Sequence, residues 1–320
     1  MNIISANTNS TPKVSVIIPI YNTEAYLTDS LDSICKQSLQ DIEIILINDG
    51  STDNSRNIIE EYAKNDRRIK HFTQTNQGQG VARNHGLQFA TGKYIYFMDS
   101  DDMLEIEALE HCYETCELNK LDFVFFDAET IVEYDTLNTY NYDRKKYFNE
   151  NKLWNGLDLL KCELGNDIFS VSPCLFFSNF SFLKKVFSGF PSGIIHEDQA
   201  FAMQIKLNAK RVCYIACPYF KRRIRAFSTT TSPFSMRNIE GYTTVFNLIY
   251  NWGQQREEWQ SIINLYLVKT INSVVWLSHR MTFLEKMETY CRLRRLKLSK
   301  YVTLRNWIVF WFKPFTRPRS

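Results

Sequence analysis

The chain has 320 residues, of which 44% are apolar and 23% charged, ordinary globular proportions that exclude extensive disorder, collagen-like repeats and low complexity. No apolar stretch approaches the roughly 20 residues that cross a bilayer, and the polar run 1–12, expected to be disordered, lacks the apolar core of a signal peptide, so a cytoplasmic chain is expected. The net charge of +3 conceals an asymmetry: residues 289–320 hold nine Lys or Arg and no acid, leaving residues 1–288 at −6, a sign that excludes nucleic acid as a general partner.

In chain order, Val14-Ser15-Val16-Ile17-Ile18-Pro19 is a β-branched run of the kind that forms a strand buried on both faces. Thr23 can cap a helix whose apolar residues Leu27, Leu31 and Ile34 recur at helical spacing. A second buried strand at 42–47 ends in Asn48-Asp49-Gly50-Ser51-Thr52-Asp53, a turn and a helix start in one stretch, and Ile58, Ile59 and Tyr62 continue that helix. A third strand at 69–73, a third helix at 80–89 and a fourth strand at 93–98 follow, the last stopping at Asp99-Ser100-Asp101-Asp102. This alternation predicts an α/β fold, a doubly wound and mostly parallel Rossmann-like sheet, with polar clusters at the carboxyl ends of the strands, where such sheets bind ligands. Beyond residue 103 the pattern is mixed, with a helix at 106–119, a strand at 123–126 and a Tyr- and Asn-rich stretch at 133–152 that reads as a surface excursion. From about residue 236 the pattern is helical, including 245–252 and 262–277, an appendage to the sheet. The eight cysteines read as free thiols, and the pairs Cys112/Cys116 and Cys213/Cys217 as core residues rather than zinc ligands.

Three carboxylates in four positions repel one another unless a cation or hydrogen-bond donors compensate them. Along an extended chain Asp99 and Asp101 point to the same side, where a hard divalent ion bridging to phosphate oxygens is one solution; a solvated turn with Asp102 capping the next helix is the other. Asp49 is either part of a turn and N-cap or an acceptor for a base or ribose. Gln77-Gly78-Gln79-Gly80 enters a helix as a phosphate loop does, but its spacing and its place away from the first strand exclude the dinucleotide fingerprint. Glu197-Asp198 sits at a helix start, where the dipole favours acids. Neighbouring residues on a helix diverge by about 100°, so only one of the two can aim into a site.

Taken together and in order, Val14–Asn22, Asn48–Asp53, Gly80–Asn84, Asp99–Asp102 and His196–Asp198 resemble family 2 glycosyltransferases of the GT-A fold, especially bacterial enzymes of surface polysaccharide assembly. The resemblance covers residues 13–232, a catalytic domain, and leaves 233–320 as a helical C-terminal region. It implies transfer of a sugar from a nucleotide-sugar donor, usually a UDP-sugar, with inversion and with Mn2+ or Mg2+. By matched position, Tyr21 would flank the uracil and Asp49 would accept from its N3–H, with Pro19 and Asn22 beside them at the donor. Arg83 would stand near the base or diphosphate, Asp99 against the ribose, and Asp101 would ligate the metal. Asp198 would be the general base, and Arg225, in Arg222-Arg223-Ile224-Arg225, would help hold the diphosphate. Gln254-Gln255-Arg256-Glu257-Glu258-Trp259 departs from the QxxRW of processive relatives, so a single addition to a saccharide acceptor is expected. Cys174, after Pro173, stands where relatives often carry an aromatic residue. The rival readings are a sugar-phosphate nucleotidyltransferase, which usually carries a glycine-rich basic loop after its first strand, and a non-catalytic sugar-nucleotide or glycan-binding protein.

The basic tail, residues 292–320, surrounds the apolar run Trp307-Ile308-Val309-Phe310-Trp311-Phe312. An aromatic face flanked by cations lies in the headgroup layer of an anionic membrane, so peripheral association with the inner face of the plasma membrane is expected, in keeping with a lipid-linked acceptor. The other reading of the same run is a basic helix with Trp307 and Trp311 in an ordinary core.

Overall fold

The β-branched runs become two adjacent, fully covered strands. β1 (Val14–Ile20) and β2 (Ile42–Asn48) are buried along their whole lengths and pair in parallel, as fully covered parallel strands do. These and the following elements belong to a computed structural model that describes residues 11–132, 142–150, 152–225 and 232–313. The expectation for residues 1–12 therefore falls outside the described residues, except that the carbonyl of Pro12 already accepts from Lys93 N at 3.0 Å.

The N-terminal half alternates as expected: α1 (Glu24–Cys35), α2 (Ser55–Asn65), β3 (Ile69–Thr73), α3 (Gln79–Phe89) and β4 (Tyr94–Phe97). There follow β5 (Met103–Leu104), α4 (Ala108–Asn119), β6 (Phe123–Val132), α5 (Gly156–Gly165), β7 (Phe176–Asn179), α6 (Phe180–Val186), α7 (Glu197–Asn208) and β8 (Val212–Ile224). One sheet of eight strands results, in the order β3-β2-β1-β4-β7-β6-β8-β5. β1 to β4 are mutually parallel; β7 then runs antiparallel between β4 and β6, β8 returns parallel to β6, and β5 closes the edge antiparallel to β8. The sheet is thus mixed: strand order reverses between β1 and β4, and strand direction first changes between β4 and β7.

Two local expectations are corrected. Thr23 stands before α1, yet its hydroxyl bonds Ser100 Oγ at 3.1 Å, and the first free amide of the helix, Glu24 N, donates instead to Asp53 Oδ2 at 3.0 Å. The stretch 133–152, whose residues 133–141 and 151 lie outside the described residues, is not wholly superficial: Arg144 and Phe148 are buried. The reason is Asp127, which sits where the β6–β8 register shifts and turns a carboxylate into the interior. Arg144 Nε donates to it at 2.8 Å and the Tyr214 hydroxyl donates as well, so a buried charge acquires the partners it requires.

The C-terminal helices are α8 (Met236–Gln255), α9 (Glu257–Leu277), α10 (Phe283–Arg295) and α11 (Leu304–Phe312). They are not an appendage. Ile239, Phe246, Tyr266 and Val275 form one apolar core with Leu160 and Leu164 of α5 and Met203 and Leu207 of α7. All eight cysteines are free, with Cys112, Cys116, Cys174 and Cys213 buried. Among the described residues no helix is long and apolar enough to cross a membrane.

Candidate active site

The site begins where β1 and β4 part. β4 pairs with β1 only from Val14 to Ile17, and the last bond across them is Met98 N to the Ile17 carbonyl at 3.1 Å. Backbone groups alternate sides along a strand, so residue 19 faces the β4 side, beyond the last pair, where no donor is required. A proline fits there without breaking a ladder. Pro19 itself is buried and lies at the parting of the strands, beneath the mouth where Tyr21 and Asn22 stand. Tyr21, at the crevice mouth, is 47% exposed. Asn22 takes a left-handed φ of 51° and its Oδ1 accepts from Thr52 N at 2.8 Å, which ties the loop after β1 to the loop after β2.

Asp49 is 2% exposed. Its Oδ1 accepts from Gln74 Nε2 at 2.8 Å and Gln77 N at 2.9 Å, and its Oδ2 accepts from Gly78 N at 2.8 Å. Three of the roughly four lone-pair directions of the carboxylate are filled by the segment that opens α3, so Asp49 clamps that segment and keeps little capacity for a base. The glycine loop donates inward to Asp49 rather than outward to a phosphate. Gly80 is small for a related reason, since a Cβ there would lie 2.8 Å from Glu197 Cγ.

Arg83 also departs from expectation. Its side chain is 1% exposed, with Nη2 donating to Asp99 Oδ1 at 2.6 Å and Nη1 to Glu197 Oε1 at 3.2 Å. A guanidinium held between two carboxylates is not presented to a donor; it joins the acid after β4 to the acid that starts α7. Glu197 points into this buried pair, and the divergence of neighbours on a helix sends Asp198 elsewhere. Asp198 is partly buried and accepts from Gln199 N at 2.9 Å. Burial, reinforced by the Glu197 charge and opposed by Arg83, raises its carboxyl to about 7. A carboxylate with that affinity for protons is matched to proton abstraction near neutral pH.

His196, in the left-handed region at φ 69°, precedes α7 and stacks on Tyr242 of α8 with ring centroids 3.9 Å apart. Burial lowers its pKa to about 4, so the ring is neutral and its Nε2 accepts from Asn238 Nδ2 at 3.0 Å. The backbone beside it is approached more closely still: a Cβ on Gly241 would lie 2.1 Å from the Ile195 carbonyl. Tyr266 of α9 completes the grip by donating its hydroxyl to Gln199 Oε1 at 2.8 Å.

On the opposite side of the crevice the chain turns after β4 instead of staying extended, with Asp102 N donating to the Asp99 carbonyl at 3.3 Å. The three acids consequently separate. Asp99 goes to Arg83, and the Oδ2 of Asp101 accepts from Arg225 Nε at 2.6 Å. Asp102 is buried, accepts from Arg223 N at 2.7 Å and caps no helix; burial, then the charges of Asp101 and Asp99, push its carboxyl well above the usual range. Arg223 and Arg225 both lie over the ring of Tyr26, at 5.0 and 5.5 Å. Among the described residues no group of three His, Cys, Asp or Glu is placed to hold a metal ion. Asp101, whose partly exposed carboxylate offers a hard oxygen donor, is the residue of this cluster that would hold a divalent cation.

Residues 15–187 match the family model described as glycosyl transferase family 2. The chain belongs to that family. Similar proteins include the glycosyltransferase EpsJ of Bacillus subtilis, 46% identical over 35% of this chain and 33% of that protein. Glycosyltransferase GlyG of Streptococcus pneumoniae is 30% identical over 73% of this chain and 78% of its own. Among solved structures, S. aureus TarS 1–349 in complex with UDP-GlcNAc superposes with a TM-score of 0.63 at 21% identity, covering 90% of this chain and 89% of that one. That likeness and the mixed sheet fit a GT-A α/β fold with a helical C-terminal region. The match with EpsJ spans about a third of that protein's length.

The crevice of this family 2 chain therefore gathers Tyr21, Asp99, Asp101 and Arg225 at the ends of β1, β4 and β8, with Asp198 linked to them through Glu197 and Arg83. Sequence reasoning missed Tyr26, Arg223 and Asn238. Arg223 and Arg225 have the two-residue spacing of one strand face, a signal present in the quoted Arg222–Arg225 run; Asn238 gives none, because it meets His196 from 42 positions away.

Proposed function

We propose that this chain transfers a single sugar from a UDP-sugar to a saccharide hydroxyl, with inversion, in assembly of a bacterial surface polysaccharide, and that residues 13–232 are its catalytic domain. The observation that carries the reading is the bridge of Arg83 between Asp99 and Glu197, which builds the two acidic motifs into one network. Asp198 takes the proton from the acceptor hydroxyl as it attacks the anomeric carbon, a role suited to its raised proton affinity. Tyr21 flanks the base, Asp99 borders the ribose, and Arg225 turns from Asp101 to the diphosphate. Asp101 holds Mn2+ or Mg2+, an ion whose charge neutralises a departing diphosphate when bound. The acceptor is a saccharide carried on a lipid at the inner face of the plasma membrane.

Incubating the purified chain with Mn2+ and single UDP-sugars, UDP-GlcNAc first, tests this. Release of UDP from one of them, enhanced by a saccharide acceptor, is the expected result. Formation of a nucleotide sugar from UTP and a sugar 1-phosphate, or tight UDP-sugar binding with no turnover under any acceptor, overturns it.

A further inference from the structure

The C-terminal helices distribute their apolar residues in a way the sequence reading did not. Phe310 is fully buried, and Trp307 and Trp311 pack on Tyr290 of α10 with ring centroids at 5.4 and 5.8 Å, so the aromatic side of α11 faces inward. What remains outside is a second stripe. Leu304, Ile308 and Phe312 recur every four residues, hence on one face, and are 76%, 52% and 78% exposed. Beside them α10 exposes Phe283 and Leu284, and Phe283 touches Trp311 with centroids 6.3 Å apart, which brings the apolar start of α10 to the apolar end of α11. Large apolar side chains grouped like this on a soluble surface mark an interaction site.

Charge selects the partner. Arg305 lies on α11 within about 60° of Ile308, and the later turns of α10 expose Arg294 and Arg295 about three turns along from Phe283. The acids of α10 are committed: Glu285 caps the helix with Thr282, and Glu288 pairs with Arg292. We infer that the exposed face of α10 and α11, led by Leu304, Ile308, Phe312 and Phe283 and rimmed by Arg294, Arg295 and Arg305, docks on an anionic lipid bilayer surface. The apolar side chains enter the acyl boundary while the guanidinium groups meet lipid phosphates. This deepens the placement of the acceptor proposed above, but it names different residues from the tryptophans and rests on no step of sugar transfer.

The test is sedimentation of the full chain with phosphatidylglycerol or phosphatidylcholine vesicles, which requires neither donor nor acceptor. Wild type should sediment with the anionic vesicles at low salt and be released by high salt. Leu304→Glu/Ile308→Glu/Phe312→Glu should weaken binding by about tenfold or more, with an unchanged circular dichroism spectrum and melting temperature. Arg294→Gln/Arg295→Gln should weaken binding to the anionic vesicles and flatten its salt dependence. Recovery of wild type in the supernatant, or undiminished sedimentation of the triple variant, overturns the inference. So does a wild-type dimer in light scattering that the triple variant converts to monomer, since the face would then pair two copies. An inactive chain that still sediments would sink the catalytic proposal and leave this one standing.

Discussion

Arg83 neutralises two carboxylates at once, and its loss leaves Glu197, 2% exposed, as a buried charge without its partner. Breaking a buried pair by removing one member costs about 3–5 kcal/mol, so Arg83→Ala should lower the urea midpoint sharply. Adding Glu197→Gln should recover part of that loss rather than deepen it, a non-additivity that a double-mutant cycle reads directly. Asp198→Asn should lower turnover about 100-fold or more and leave the affinity for UDP nearly unchanged, as expected when a base alone is removed. Wild-type turnover should rise with pH through about 7 as Asp198 ionises. Stability runs the other way. A carboxyl whose folded value is raised binds its proton more tightly in the native state, a contribution present below the unfolded value near 4 and lost as pH climbs through about 7. Asn carries no such penalty, so the melting temperature of Asp198→Asn should match wild type near pH 4 and exceed it above pH 7. Asp101→Ala should abolish the enhancement of UDP binding by Mn2+ in calorimetry, because no cluster among the described residues could substitute for it.

At the scale of elements, the segment that carries Asp198, the proposed base, is held from behind by helices that lie far along the chain. Gly241→Ala would drive a methyl group into the Ile195 carbonyl, and α8 must retreat from α7 to admit it. The expected outcome is lower kcat and a lower melting temperature with UDP affinity intact, because Tyr21, Asp99 and Asp101 stand on the other side of the crevice; a fall in UDP affinity equal to the fall in kcat would contradict this division. The first four strands and the helices between them were legible in the sequence because a strand covered on both faces is a continuous apolar run, and β1 and β2 are buried without exception. Of the later strands only the start of β6, expected at 123–126, was legible. β7 contributes only four residues, and nothing in them announces that they will lie antiparallel between β4 and β6. Arg144 reads as surface until Asp127 is seen facing inward from the register shift. The acidic motifs were likewise legible as motifs, while the separation of Asp99, Asp101 and Asp102 onto Arg83, Arg225 and the Arg223 backbone depends on a turn and a strand more than 120 residues apart.

For the whole molecule, the core formed by the C-terminal helices with α5 and α7 means that the catalytic sheet is finished by residues beyond it. A chain ending at residue 232 would uncover Leu160, Leu164, Met203 and Leu207, all buried in the intact protein. Such a fragment should aggregate, or bind a hydrophobic dye strongly with a broad thermal transition, whereas a sharp melt like that of the full chain would show that the sheet closes unaided. The helical region escaped a sequence reading as an integral part because helical periodicity shows that a face is buried without showing what buries it.

The sheet order also sets a schedule for the nascent chain. β1 to β4 pair within the first hundred residues, whereas the edge of β4 stays open until β7, which begins at Phe176, and β5 must wait for β8, which begins at Val212. Contacts of long sequence separation form late, and synthesis proceeds at about 5–20 residues per second, so the N-terminal half waits for several seconds with one sheet edge open. Only when β8 docks do Arg223 and Arg225 reach Asp102 and Asp101. Until then the three acids after β4 stand close together without those arginines, and the maturing chain should be most sensitive to arrest, by a chaperone or by a stray divalent ion, during the interval between the fourth strand and the eighth.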